Sequence, residues 1–225
     1  MRIFTRIAAA AVSAAAAFCM AGCSLESDVE GGDLIKKARE AYKELDSARV
    51  TMTNTATGEI EQEFTFKYDE KDILLFSYSG KSEESEYAQY NNGIECYTYE
   101  NGELSYSHKG EEGFVLYTRQ SPHPQADEAL IIYSPSAVKE ANVTEEDGIT
   151  HIEHIYDVKK IKAEVEHGDV TDFRADYYFK GDELLYFVET TEADDNGEHK
   201  VYSYKVEIKD KNSVGKVENT VKKYQ

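Results

Sequence analysis

Histidines and carboxylates are the residues of this chain that could do chemistry, because zinc, calcium and acid–base sites all need them at set spacings. The densest group is His151-Ile152-Glu153-His154. On a helix both histidines would share a face. The alternation Thr150, Ile152, His154, Tyr156 reads instead as a strand, where His151 and His154 point to opposite faces and one ion cannot take both. His151 and Glu153 share a face, yet two ligands do not make a site. Glu192-Ala193-Asp194-Asp195-Asn196-Gly197 matches the first half of a calcium loop. The bidentate Glu required six residues after the Gly is replaced by Ser203, so the stretch reads as a hairpin turn. The chain has no His-Glu-x-x-His, no Gly-x-Ser-x-Gly elbow, no phosphate-binding Gly-rich loop and no dinucleotide fingerprint. The expectation is a protein that is not an enzyme and uses no metal and no cofactor.

The cysteines point elsewhere. Arg2 and Arg6 form a positive start, and Ile7 to Phe18 follows without a charge. That run is shorter than the ~20 residues a spanning helix needs, so it reads as the apolar region of a secretory signal. It closes on Met20-Ala21-Gly22-Cys23, which resembles the lipobox of bacterial lipoproteins, with Met20 where Leu is commoner. Small residues at Ala21 and Gly22 suit a signal peptidase, and the Cys23 thiol would take a diacylglycerol. Residues 1–22 are then a leader, 23–32 an acylated Cys with a short polar tether, and 33–225 one globular domain. Cys19 leaves with the leader, so Cys96, in an alternating apolar segment, is the one free thiol and reads as buried and inert.

Charge narrows the partners. The 225 residues carry 25 Lys+Arg against 44 Asp+Glu, and loss of Arg2 and Arg6 with the leader makes that 23 against 44. Such a surface excludes general nucleic-acid binding, which needs a basic face. It would also be repelled by an anionic envelope surface unless tethered. The expected location is the cell envelope, extracytoplasmic and membrane-anchored: the outer face of the cytoplasmic membrane, or the outer membrane where the host has one.

After the tether the period of the apolar residues changes once. Asp33 suits an N-cap, and Leu34, Ile35, Ala38, Tyr42 and Leu45 recur at helical spacing. From Ser47 the period is two: Ile60, Phe64, Phe66 and Tyr68 face one way and Glu61, Glu63 and Lys67 the other, followed by Leu74, Phe76 and Tyr78 and by Tyr87 to Tyr90. Asn92-Gly93, Asn101-Gly102, Gly181-Asp182 and Asn196-Gly197 mark tight turns. The hairpins Tyr97–Tyr106 and Tyr177–Tyr186 align without a gap, a match that hairpin physics alone can generate. Tyr202, Tyr204, Val206 and Ile208 form a last strand. Between the hairpins, Ser121-Pro122-His123-Pro124 stops the sheet and residues 125–142 read as helix split at Pro135. Residues 159–167 fit helix and strand equally.

This order of elements is similar to that of the LolA/LolB superfamily of lipoprotein carriers and envelope lipid-binding proteins, over roughly Asp33 to Asp210 and most of all at Tyr177 to Val188. The resemblance implies an α+β, mainly β fold: a strongly curved antiparallel sheet, an incomplete barrel, with an N-terminal helix and mid-chain helices covering its open side. It also implies a lipid or other hydrophobic ligand, for which Phe64, Phe66, Leu74, Phe76, Leu130, Ile131 and Tyr133 are the cavity candidates. An acyl anchor suits a stationary acceptor, lipid binder or sensor. The competing expectation is a tethered module with a filled core that binds another envelope protein.

Acylation is directly testable. Intact mass of the membrane-bound chain should show a lipid-modified Cys23 at its start, and Cys23→Ser should release the protein or stall processing, since acyl chains contribute ~0.8 kcal/mol per buried methylene. A chain starting elsewhere, or lacking lipid mass, contradicts this reading.

Overall fold

The computed structural model describes residues 29–81, 85–128, 130, 133–161, 168–195 and 197–224. Met20, Ala21, Gly22 and Cys23, and with them the leader and most of the tether, lie outside the described residues, as does Ile131. Among those described, eleven strands form one antiparallel sheet that is not closed into a barrel. The strands are β1 (Ser47–Asn54), β2 (Ile60–Tyr68), β3 (Leu74–Lys81), β4 (Glu86–Asn91), β5 (Glu95–Glu100), β6 (Glu103–His108), β7 (Val138–Glu146), β8 (Ile149–Tyr156), β9 (Gly168–Lys180), β10 (Glu183–Asp195) and β11 (Glu198–Lys209). Their order in space is β6-β5-β4-β3-β2-β1-β11-β10-β9-β8-β7. Two runs of hairpins therefore meet at the centre, where β1 pairs with β11 from Arg49↔Lys209 to Asn54↔Tyr204.

Alternation decides which face is buried. Phe64, Phe66, Leu74, Phe76, Ile152, Phe173, Tyr177, Phe179 and Phe187 all point to one side and join a single core cluster. Helix α1 (Gly32–Lys43) lies on that side and buries Ile35, Ala38 and Tyr42. Its N-cap is Gly31, not Asp33, which stands in the first turn. The reason is steric: Gly31 has φ +77, and a Cβ there would meet Ile152 at 2.6 Å. Asp33 still favours the positive end of the helix.

The reading of residues 125–142 as helix is corrected. Among the described residues of this stretch only Pro124–Glu128 (α2) and a 3₁₀ turn at Pro135–Ala137 are helical, and Val138–Glu146 is the edge strand β7. Each proline sits at the first position of its turn, where a missing N–H costs nothing. From Val138 on, pairing with β8 outweighs the helical spacing of Ala137 and Val138, and Val143 lies opposite Ile152. Val158–Ile161 forms a short helix, α3, and residues 162–167 lie outside the described residues.

The two look-alike hairpins do not superpose in register. In β5–β6 Tyr97 pairs with Tyr106, across a turn in which Asn101 and Gly102 both have positive φ. In β9–β10 a register shift between Leu184 and Tyr186 sets Tyr186 opposite Tyr178 and Phe187 opposite Tyr177. Tyr97 consequently belongs to the outer face while Tyr177 is buried inside. On the outer face the chain after β11 straps back over β1–β5: Lys67 Nζ donates to Gly215 O, Val214 N donates to Ser47 Oγ, and Tyr224 stacks on Tyr99 at 3.7 Å.

Gly31→Ala should lower stability by about 2 kcal/mol in urea unfolding, combining the positive φ with the clash on Ile152. A change within 0.5 kcal/mol would show that the start of α1 is not anchored there.

Candidate functional site

The inner face of the sheet has an aromatic floor and a cover of short pieces. Over β2 and β3 the floor is Phe64, Phe66, Leu74 and Phe76, all nearly inaccessible. The structure brings these four together as the spacing suggested, but the residue lying on them is His123, at 4.6 Å from the Phe76 ring and 5.8 Å from Phe64, with Tyr117 edge-on at 4.9 Å. Tyr133 covers the other half of the floor, 4.9 Å from Tyr156 and 5.2 Å from Phe173. Leu130 is fully buried in the same core. The candidates thus form two neighbouring clusters under one cover, rather than one cluster facing a helix pair.

Between the cover and the floor is a cavity of about 20 Å³, lined by Val29, Gly32, Ile35, Tyr133, Pro135, Val138, His154 and Tyr156. That is room for about one water. Of the described candidate residues only Tyr133 lines it.

Beside this cavity the apolar floor is interrupted by polar groups that spacing alone did not single out. His154 Nε2 donates to Glu30 O at 2.8 Å, and its Nδ1 accepts from the Tyr156 hydroxyl at 3.4 Å. Burial lowers the His154 pKa, with the Glu30 carbonyl opposing, so the ring is held as the neutral form that this pattern needs. Tyr177, on the adjacent strand, is 1% exposed with its hydroxyl close to that of Tyr156, and burial pushes its pKa well up. Glu189 follows on β10, on the inner side between Phe187 and Thr191 and opposite Ala175 and Tyr204. Burial alone pushes its carboxyl up to about 7. A pattern signal for Glu189 did exist: it is the one acid among the inward positions Phe187, Glu189, Thr191 and Ala193.

The densest histidine group separates as the alternation requires. His151 faces outward, stacked on Tyr178 at 4.6 Å and 2.8 Å from Asp176, while His154 faces in. Glu192 to Gly197 spans the β10–β11 turn, where His199 lies 3.4 Å from both Glu192 and Asp194. Among the described residues no three His, Cys, Asp or Glu side chains are grouped to hold a metal. Cys96 is buried, with Gln89 Nε2 at 3.4 Å from its sulfur.

No family model and no curated protein matches the sequence. Among solved structures the chain is similar to LprF from Mycobacterium bovis, with 13% identity and a TM-score of 0.44, over 83% of this chain and 95% of that one.

The two buried titratable groups set opposite pH limbs. His123, whose pKa burial lowers to about 4, contributes stability that is complete above its ordinary 6.5 and is lost as pH falls toward 4. Glu189 contributes stability that is complete below its ordinary 4.5 and is lost as pH rises through about 7. Glu189→Gln should therefore gain about 2 kcal/mol at pH 8 and nothing at pH 4.5, and His123→Phe should flatten the loss between pH 6.5 and 4. Chemical denaturation at these pH values measures both, and parallel curves for wild type and variants would contradict the assignment.

Proposed function

We propose that this chain is a non-catalytic lipoprotein of the cell envelope that binds a lipid or other hydrophobic ligand on the inner face of its curved sheet. Residues 1–22 act as leader, 23–32 as acylated tether and 33–225 as the binding domain. The observation that carries this reading is the construction of the cover. A continuous aromatic floor running from Phe64 to Phe173 is closed by a five-residue helix, a three-residue 3₁₀ turn and the irregular chain around them. Among the described residues the pieces are tied down by Asp157 N to Ala137 O, Lys160 Nζ to Ser136 O and Leu74 N to Tyr117 O, and the chain before α2 also by Arg119, whose N–H donates to Asp72 O and whose guanidinium donates to Lys43 O, Leu45 O and Asp46, and by Asn91 Nδ2 donating to Val115 O. Segments of this kind open at the low end of a protein's free-energy range, while the sheet beneath stays intact. In the closed form the 20 Å³ cavity has no room for an acyl chain, so the ligand reaches the floor by displacing the cover. Each methylene then gains up to ~0.8 kcal/mol.

A second reading rests on a different surface. Ile94, Leu104 and Tyr106 are about half exposed at the β5–β6 hairpin, where β6 is a sheet edge and Tyr90, Tyr97 and Tyr106 form a row. That combination suits docking of another envelope protein.

Organic extraction of the purified protein followed by lipid mass spectrometry separates the two. The expected outcome is a stoichiometric amphiphile that Leu130→Asp abolishes while far-ultraviolet circular dichroism still reports the sheet. No extracted lipid, together with no uptake of a fluorescent fatty acid, would favour the hairpin reading.

A further inference from the structure

We propose that the outer face carries a saccharide-binding groove between strands β1–β3 and the C-terminal strap, with Arg49, Thr65 and Ser77 as its floor. The groove shares no residue with the cover and floor of the inner face, so it is independent of the hydrophobic-ligand reading.

The groove follows from how the strap is fixed. At its start Asn212 N donates to Ser47 O, Val214 N to Ser47 Oγ and Lys67 Nζ to Gly215 O. At its far end the Ser77 and Thr220 hydroxyls share a hydrogen bond, Val221 is fully buried, and the Tyr224 hydroxyl donates to Glu86 at 2.6 Å. Between these anchors strap and sheet leave a groove of about 450 Å³. That volume lies within the ~300–1,000 Å³ of small-molecule sites. Register lays out the floor: Arg49 stands opposite Thr65 and Thr65 opposite Ser77, a row across three strands with Glu63 beside it. Gly215 belongs to the wall. Its φ is not positive, and a Cβ there would meet nothing within 4 Å. Neither backbone nor packing asks for glycine at this position, and the missing side chain keeps the groove open.

The lining has hydrogen-bonding capacity to spare. Among the described residues the Arg49 guanidinium makes one ion pair, with Glu63 at 3.4 Å, and no hydrogen bond. The side chains of Thr65, Asp210 and Ser213 make none. The Ser77–Thr220 pair uses one of its two hydroxyl hydrogens and leaves the other. These groups select the class of ligand. An apolar ligand finds one apolar side chain, Val214, and no ring. An anion meets Asp210 unpaired, while Arg49 and Lys216 are already matched by Glu63 and by Glu218 at 3.5 Å. A cation is set against Arg49 and Lys216. A neutral polyhydroxyl ligand suits the mixture, because each hydroxyl both donates and accepts and no charge has to be desolvated. Adjacent ring hydroxyls also set two oxygens side by side, which the planar guanidinium and carboxylate forks address together. A saccharide has this pattern, whether free or part of a glycan chain.

The test is an amide NMR titration of the full chain carrying Cys23→Ser with maltose, cellobiose, lactose and N,N′-diacetylchitobiose, and with the charged lactobionate and chitobiose. At least one neutral disaccharide should shift the Thr65, Ser77 and Gly215 signals saturably and bind at least tenfold tighter than either charged one. Arg49→Lys keeps the charge beside Glu63 but loses the fork, and should weaken that disaccharide at least fivefold. Thr65→Val should weaken it severalfold. Gly215→Phe, which fills the groove from a position with room for a side chain, should abolish binding while the urea midpoint and the uptake of a fluorescent fatty acid stay unchanged. No binding of any neutral disaccharide, equal binding of a charged one, or binding that survives Gly215→Phe overturns the groove and leaves the inner-face reading standing. Tighter binding of the matching tetrasaccharide supports the groove with a glycan chain as its source, and equal affinity supports it with a free sugar.

Discussion

Everything on the inner face depends on the pairing of β1 with β11. Among the described strands it is the one pairing between two otherwise sequential meanders, and it brings together segments about 150 residues apart in sequence. Without it, Phe64 and Phe76 belong to one open sheet and Tyr177 and Glu189 to another, and α1 has no continuous floor to lie on. The pairing also sets a charge problem on the outer face, where Arg49 stands directly opposite Lys209. Like charges at that position repel. Glu63 at 3.4 Å from Arg49 and Glu207 at 3.1 Å from Lys209 offset them. Lys205 on the far side of Glu207 extends the alternation, and the pair of lysines lowers the Glu207 pKa.

A sheet that does not close leaves the outer edge of β6 and of β7 without a neighbouring strand, and the two edges differ. On β7, Glu140, Glu145 and Glu146 make a strongly negative margin, a common guard against edge-to-edge association. On β6 the exposed Leu104 and Tyr106 alternate with Glu103, Ser105, Ser107 and His108. The cover sits on the inner face between these two margins. Aromatic contact contributes to its hold: His123 lies on Phe76, Tyr133 against Tyr156 and Phe173. A ring such as Tyr133 gains about 2 kcal/mol from burial, enough to keep the cover shut yet small beside the contacts within the sheet.

Much of the scaffold was legible in the amino-acid pattern. Ile60 to Tyr68 alternates except at Gln62 and is β2 to the residue, with Phe64 and Phe66 as its buried positions. Residues 138–142 misled because Ala137 and Val138 sit at helical spacing from Tyr133, and only the partner strand β8 reveals a strand. Gly31 was invisible for a related reason: the need for glycine comes from Ile152, more than a hundred residues away. Of the cavity candidates, Phe64, Phe66, Leu74 and Phe76 were found together by period two. The identity of what lies on them was not, since His123 reads locally as a strand breaker between two prolines. Tyr177 reads locally as one strand aromatic among many, and Glu189 was legible only as the one acid among the inward positions of β10.

The central claim is that the cover over the aromatic floor, and not the outer surface, is where a hydrophobic ligand acts. Amide hydrogen exchange of the protein with and without membrane lipid tests it most directly. The account expects altered protection in residues 133–138 and at the start of α1, with the central strands β1 and β11 unchanged. Changes confined to the β5–β6 hairpin, with the cover unaffected, would contradict it.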